Sequence, residues 1–204
     1  MPKIIDHEQR RAEIAEAVLR VVARDGVNGV TIRMVANEAG WSTGVLHHYF
    51  TNKQALLVGG LRLAAQLTGQ NMNRAMSKAD PKEQLRLVIE AGIPLDEQRE
   101  SMCRIFFFFW AEGLCDSDLS TELAKYYDWW QQRIFEILKV GQKQGWVRQD
   151  TSAKILAEML VALADGVAIR ARFSSPPISK SRLRKHVKTW ISNLAPEPLS
   201  KVTS

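Results

Sequence analysis

Residues 31–57 read TIRMVANEAGWSTGVLHHYFTNKQALL and contain the features that decide the fold. Thr31 precedes a short segment with helical apolar spacing and is the predicted cap of a helix over 32–39. Gly40 ends that helix, because glycine accepts a left-handed backbone at little steric cost. Ser42 is the predicted cap of a second short helix, and Asn52 of a third, longer one that runs towards residue 77. The second helix repeats its apolar residues at the spacing of one buried face: Val45, Leu46, Tyr49 and Phe50.

This arrangement of two short helices and a glycine-containing turn is a helix-turn-helix. Its second helix is short enough to enter a DNA major groove about 12 Å wide. Helix starts expose unpaired backbone N–H groups and a partial positive charge, so Thr31, Ser42 and Asn52 mark three predicted phosphate sites. Lys53 adds a full positive charge beside the third. The segment therefore predicts binding to double-stranded DNA.

The rest of the chain repeats apolar residues at three and four spacing and nowhere alternates as a half-buried strand does. We predict an all-α fold of about nine helices, with a three-helix DNA-binding domain over 1–54 and a helical domain over 55–204. The first helix, over 8–24, has Ile14, Val18, Val21 and Val22 as its inner stripe. Asp80-Pro81 is a predicted helix start, and so is Ser179. Asp150 or Thr151 is the predicted cap of a helix that runs to about Phe173.

Composition narrows the possible classes of protein. No apolar run reaches the roughly 20 residues of a membrane span, and the start of the chain lacks a signal-peptide pattern, so a cytoplasmic protein is expected. Cys103 and Cys115 form no CxxC pair, which argues against a disulfide framework or a zinc site. The net charge of +6 reflects basic residues between 166 and 196, a pattern more typical of a solvated helix face than of a DNA-binding patch.

Motifs of helical enzymes are missing from the sequence. It contains no G-x-S-x-G, no HExxH and no phosphate-cradling glycine loop, so no catalytic residue and no cofactor are predicted. Adjacent helical residues point about 100° apart and no third ligand is nearby, so His47 and His48 are not expected to bind a metal. A binding protein is favoured over an enzyme.

The pattern in 31–57 resembles the DNA-binding segment of the tetracycline-repressor (TetR) family, which has Ala36, Ala39-Gly40, Ser42, Tyr49-Phe50 and Lys53 in the same register. The resemblance implies a bacterial transcriptional repressor. It implies phosphate contacts by Thr31, Tyr49 and Lys53, base-edge contacts by Thr43, Gly44, His47 and His48, and groove-flanking positions for Trp41 and Ser42. Read from the residues alone, Tyr49 fits the core as well as a phosphate contact, and Phe50 fits the core. The family has a smaller residue at Trp41 and a tyrosine near His47, so the base preference does not carry over.

Aromatic residues concentrate in one part of the second domain, beginning with four consecutive phenylalanines at 106–109. Aromatic faces and one carboxylate can enclose a quaternary ammonium group, and ordinary core packing is the alternative reading. Asp165 lies in an apolar run and therefore needs a partner. Residues 42–50, 95–97, 109–111 and 165–166 resemble the choline-sensing BetI subfamily, although Phe106 and Ala168 stand where that subfamily has tryptophan. The predicted effector-site residues are Phe106, Phe109, Trp110, Tyr127, Trp130 and Asp165.

The last two predicted helices resemble the dimerisation bundle of the TetR family. The resemblance implies a homodimer that binds operator DNA and responds to a small-molecule effector, with the effector not identified. A repressor that answers to another protein, or to nothing, remains the alternative if the aromatic cluster is simply packed core. The predicted dimer contacts are Leu156, Met159, Leu160, Leu163, Gly166 and Val167.

Overall fold

The computed structural model describes residues 7–196, and within them the regular structure is helical throughout apart from one 3₁₀ turn at Val27–Gly29. This confirms the predicted all-α fold. The helices are α1 (His7–Asp25), α2 (Ile32–Ala39), α3 (Thr43–Tyr49), α4 (Lys53–Met76), α5 (Pro81–Glu90), α6 (Glu97–Gly113), α7 (Ser117–Lys143), α8 (Ala153–Phe173) and α9 (Lys180–Ser192).

The inner face of α1 is the one that its apolar spacing predicts. Ile14, Val18, Val21 and Val22 are fully buried, and α1 packs closely against α2. The helix ends at Asp25, and the next residue, Gly26, has a φ of 71°, which lies in the left-handed region. This stripe anchors the helix-turn-helix to the first helix.

The start of α5 follows the sequence prediction, and the start of α8 corrects it. The Asp80 carboxylate accepts hydrogen bonds from two backbone N–H groups of α5, with Pro81 at the first helical position. At α8 the cap is Ser152, whose hydroxyl accepts from the Ile155 N–H at 3.3 Å. The predicted caps Asp150 and Thr151 are wrong, because the Asp150 carboxylate is held by the Arg148 guanidinium at 2.6 Å.

The contacts divide the described chain into two compact units. The first contains 7–70 together with Ser101–Tyr127, and the second contains Asn71–Glu100 together with 128–196. The predicted domain boundary at 54/55 does not coincide with this division, because parts of α6 and α7 pack with the DNA-binding helices. No helix within 7–196 is long and apolar enough to cross a bilayer.

The second unit has its own apolar core, in which α5 packs against α8 and α9. Leu85, Val88 and Ile89 of α5 are fully buried. The Arg148 N–H donates to the Leu194 carbonyl at 2.7 Å, which ties the end of α9 to the segment before α8. The second unit is therefore closed by both packing and a backbone hydrogen bond.

Candidate DNA-binding surface and effector region

Three capping side chains set the geometry of the helix-turn-helix. The side chains of Thr31, Ser42 and Asn52 each accept a hydrogen bond from the backbone N–H three residues later, at 3.1, 3.3 and 2.8 Å. Gly40 ends α2 with a φ of 72°, a conformation that favours glycine. The three predicted caps are confirmed, and the turn places the start of α3 directly after the end of α2.

One face of α3 is packed and the other is open. Leu46 is fully buried, while the predicted base-contacting residues are all exposed: Thr43, Gly44, His47 and His48. These four lie at i and i+4 spacings, so they form one outward surface. The helix-turn-helix therefore presents polar side chains and a bare glycine backbone where the sequence predicts contact with base edges.

The residues at the ends of α3 combine burial with polar groups. Tyr49 is 9% exposed, and its hydroxyl lies 3.0 Å from Nδ1 of His7. Phe50 is buried, as its core role predicts, and its ring fills the space beside Gly59. Trp41 is half-buried before α3, and Lys53 is half-buried at the first position of α4. The ring of Tyr49 thus belongs to the core while its hydroxyl remains in a polar cluster.

An ionic contact that the sequence analysis missed joins α1 to α2. Glu38 accepts hydrogen bonds from Arg20 at 2.8 Å and from Arg24 at 3.0 Å. The guanidinium of Arg20, followed by that of Arg24, holds the pKa of Glu38 below its ordinary value. Because Glu38 lies 18 and 14 residues from these arginines, no local spacing could have indicated the contact.

A second missed contact lies in a polar cleft of about 340 Å³ at the starts of α4 and α7. The Glu122 carboxylate accepts from Arg62 at 2.6 Å and from Lys125 at 2.8 Å. These cations, Arg62 first, lower the pKa of Glu122 to about 2. The lining also includes Thr51 and Asn52, which precede α4, and Asp118 and Thr121 of α7. Within 7–196, no three His, Cys, Asp or Glu side chains converge as a metal site requires.

The aromatic side chains of residues 106–110 lie on different sides of α6, within the first unit. Phe109 is fully buried, and Phe106 is buried in a stacked pair with Tyr126, with ring centroids 4.5 Å apart. Phe108 packs over the turn at Gly26. Four consecutive phenylalanines are therefore accounted for largely by packing, which favours the core reading for Phe106 and Phe109.

Trp110 is the exception in this run. Its ring stacks with Tyr127 at a centroid distance of 6.0 Å and lies 5.2 Å from Phe107. The indole Nε1 is buried and has no hydrogen-bond partner among residues 7–196. A buried N–H without an acceptor costs about 1–3 kcal/mol, which sets Trp110 apart from Trp130 and Trp146, whose indole N–H groups are bonded.

The remaining two predicted effector residues lie in the second unit. The Trp130 indole is 2% exposed, donates to the Val88 carbonyl at 3.0 Å and fills the space beside Gly92. These contacts give Trp130 a structural role inside its own unit. Asp165 is half-buried on α8 and takes part in an interaction, in line with the predicted need for a partner.

The predicted dimer contacts divide between two faces of α8. Leu156 and Leu160 are buried in the core of the protomer, so their assignment to a dimer contact is corrected. Met159 and Leu163 are 52% and 40% exposed, and no atom within 4 Å would meet a side chain at Gly166. Val167 is half-buried between the two faces. The exposed apolar face also includes residues that the sequence analysis did not select: Ile155, Ile169 and Phe173.

A helical chain that presents the second helix of a helix-turn-helix in this way is a DNA-binding regulator. Residues 14–59 match the model for bacterial regulatory proteins of the tetR family, and residues 81–196 match that for the C-terminal domain of BetI-type transcriptional repressors. The second match alone spans more than half of the chain. The protein belongs to the TetR family of transcriptional repressors and has a BetI-type C-terminal domain.

Individual relatives are similar over almost their whole length. The regulator PksA of Bacillus subtilis is 29% identical over 97% of this chain and 95% of its own. The regulator BetI of Paraburkholderia phytofirmans is 30% identical over 90% of this chain and 93% of its own. A transcriptional regulator from Saccharomonospora viridis, solved in complex with choline, is 29% identical and has a TM-score of 0.81, with 90% of this chain and 96% of that chain covered.

Proposed function

We propose that the protein is a homodimeric cytoplasmic repressor that reads a near-palindromic operator with α3 and changes its DNA affinity when it binds a cationic effector. The observation that supports DNA reading is the outward face of α3, where Thr43, Gly44, His47 and His48 are exposed together. The helices capped by Thr31 and Asn52 offer the backbone N–H groups of their first turns to phosphates. Lys53, the first residue of α4, adds a positive charge. The protein acts by binding, without a catalytic step.

The test of DNA reading is selection of bound sequences from random duplexes. We expect an operator with two half-sites about one helical turn, or a multiple of it, apart. His48→Ala should alter the base preference at about one position of each half-site and cost roughly 1–3 kcal/mol there. His186→Ala, which changes a half-buried histidine of α9, is the matched control and should leave the consensus unchanged. The same consensus from His48→Ala would refute base reading by this side chain.

Dimer formation is proposed through the exposed apolar face of α8. A row of exposed large apolar side chains along one helix is unusual for a surface in water, and a second copy of the chain covers such a row by two-fold symmetry. This face is formed by Ile155, Met159, Leu163 and Ile169, each of which is at least 38% exposed in the single chain. Two DNA-binding units held in this way would meet two half-sites.

The effector is proposed to be a quaternary ammonium compound that also carries an oxygen, with choline as the simplest case. The stacked rings of Trp110 and Tyr127 supply the faces that attract such a cation. The partnerless Nε1 of Trp110 supplies a donor for the ligand oxygen. The similarity to a regulator solved with choline supports this class of ligand.

Titration calorimetry with choline and with its neutral carbon analogue tests the effector assignment. Loss of the charge should weaken binding at least about fivefold, because cation–π attraction contributes about 0.5–2 kcal/mol for each of the two rings. Trp110→Leu should weaken the cation more than the neutral analogue. Trp146→Leu is the control, since that indole N–H already bonds to Gln144 at 3.0 Å. Equal affinity for both compounds, or binding of neither at millimolar concentration, would refute the cationic effector and leave DNA reading intact.

A further inference from the structure

The first turn of α1 contacts both ends of α3. His7 Nδ1 lies 3.0 Å from the hydroxyl of Tyr49, the last residue of α3. The guanidinium carbon of Arg10 lies 4.0 Å from the centroid of the Trp41 ring, directly before the cap of α3. His7 and Arg10 are three residues apart and so share one side of α1. One helical turn therefore reaches the side chains that flank the predicted reading face.

These contacts lie apart from the apolar core that holds α1 in place. His7 is exposed and Arg10 and Trp41 are half-buried, whereas Ile14 and Val18 are fully buried. The Tyr49 ring is itself buried, and its hydroxyl makes the part-buried contact with His7. The two contacts set the direction of that hydroxyl and the orientation of the half-buried Trp41 ring.

We infer that His7 and Arg10 are positioning residues for DNA binding, with His7 orienting the Tyr49 hydroxyl and Arg10 orienting the Trp41 ring. The inference rests on DNA reading by α3 and adds two residues outside the helix-turn-helix. Both act through a neighbour on the DNA-binding surface.

The Tyr49 hydroxyl has a single proton, and His7 controls where it points. When Nδ1 of a neutral His7 is the acceptor, the Tyr49 O–H donates to it and only oxygen lone pairs remain for other partners. When Nδ1 instead carries a hydrogen, that N–H donates to Tyr49, and the Tyr49 O–H is free to donate to a phosphate.

The groups around His7 are suited to such a role. From α3, the ring centroids of His48 and Tyr49 lie 6.0 and 5.6 Å from that of His7. On its own helix, Glu8 is the adjacent residue and Arg10 lies one turn away. The contribution of His7 is measured as the difference between the wild type and a His7 variant.

A double-mutant cycle between His7 and Tyr49 tests the first contact. His7→Ala and Tyr49→Phe should each weaken operator binding about three- to tenfold in fluorescence anisotropy, the effect of one hydrogen bond. The double variant should bind no more weakly than the worse single variant, because both changes remove the same contact. His7→Asn keeps a hydrogen-bonding group near the Nδ1 position, so it should bind operator close to the wild type and rescue most of the loss seen in His7→Ala.

Lys53→Ala is the control for the cycle, and its effect on binding should multiply with that of His7→Ala because its proposed phosphate contact is a separate one. Thermal unfolding should show equal stability for the His7 variants, since the side chain is exposed. Multiplicative effects in the double variant, or binding by His7→Asn as weak as that of His7→Ala, would overturn the role of His7.

The Arg10 contact is tested by separating charge from shape. Arg10→Lys keeps the positive charge but loses the flat group that covers the Trp41 ring. If Arg10 positions Trp41, Arg10→Lys should bind operator nearly as weakly as Arg10→Ala. In a protein that already carries Trp41→Leu, Arg10→Ala should cause no further loss of affinity. Full rescue by lysine would show that Arg10 acts as a point charge on a phosphate, and would overturn its positioning role.

Discussion

Gly44 offers a test in which stability and DNA affinity should change in opposite directions. It is exposed in the first turn of α3, and a methyl group added there would have the Ser42 Oγ as its nearest neighbour, at 3.8 Å. The fold therefore has room for alanine at this position. Packing does not constrain this residue, so alanine here tests the proposed close approach of DNA directly.

Gly44→Ala should stabilise the protein slightly. Glycine inside a helix costs roughly 0.5–1 kcal/mol relative to alanine, and a first-turn position takes about the lower value. A gain of about 0.5 kcal/mol raises the melting temperature by about 1–2 °C in a chain of this size. Operator binding should weaken at least about tenfold, or about 1.4 kcal/mol, because a methyl group holds the helix backbone away from the base edges.

The assay pairs thermal unfolding with fluorescence anisotropy on the selected operator. Asn73→Ala, at an exposed position of α4, is the control and should stabilise the helix without weakening DNA binding. Operator affinity equal to that of the wild type would refute close approach of DNA at Gly44. A loss of stability would refute the open space inferred around it.

Other substitutions test the remaining contacts. Lys53→Ala should weaken binding to operator and random DNA alike and reduce the salt slope by about one unit; an unchanged slope would remove it from the interface. Leu163→Arg should give a monomer in light scattering and abolish tight operator binding, because it places a charge on the exposed face of α8; a persistent dimer would refute that interface. Glu122→Gln should cost about 1 kcal/mol of unfolding free energy at neutral pH. The folded pKa of Glu122 is about 2, below its ordinary value near 4.5, so this contribution is fully present above about pH 4.5 and disappears as pH falls towards 2. Denaturant titrations should show the two proteins converging in acid, and a constant difference would contradict the ion pair. Trp130→Phe should destabilise the protein by about 2 kcal/mol, from a lost hydrogen bond to Val88 and a cavity, without weakening choline binding.

The local elements of the fold were predictable because their causes are local. A cap such as Ser42 bonds to a backbone N–H three residues away, and a stripe such as that of α1 depends only on helical spacing. The helix-turn-helix and the exposed face of α3 follow from the same rules. Where two capping residues compete, local rules fail: Asp150 precedes α8 closely enough to cap it, but Arg148 takes its carboxylate and Ser152 caps the helix instead.

The sequence by itself determined the helix-turn-helix, the helical class of the chain and its family resemblance, since these depend on residue type and short spacing. Only the tertiary structure decided that Leu160 faces the core while Leu163 stays exposed, because both fit an apolar face of the same helix. It also decided the pairing of His7 with Tyr49, 42 residues apart. Contacts between distant segments depend on how the helices pack, and no periodicity along the chain encodes which polar groups then meet.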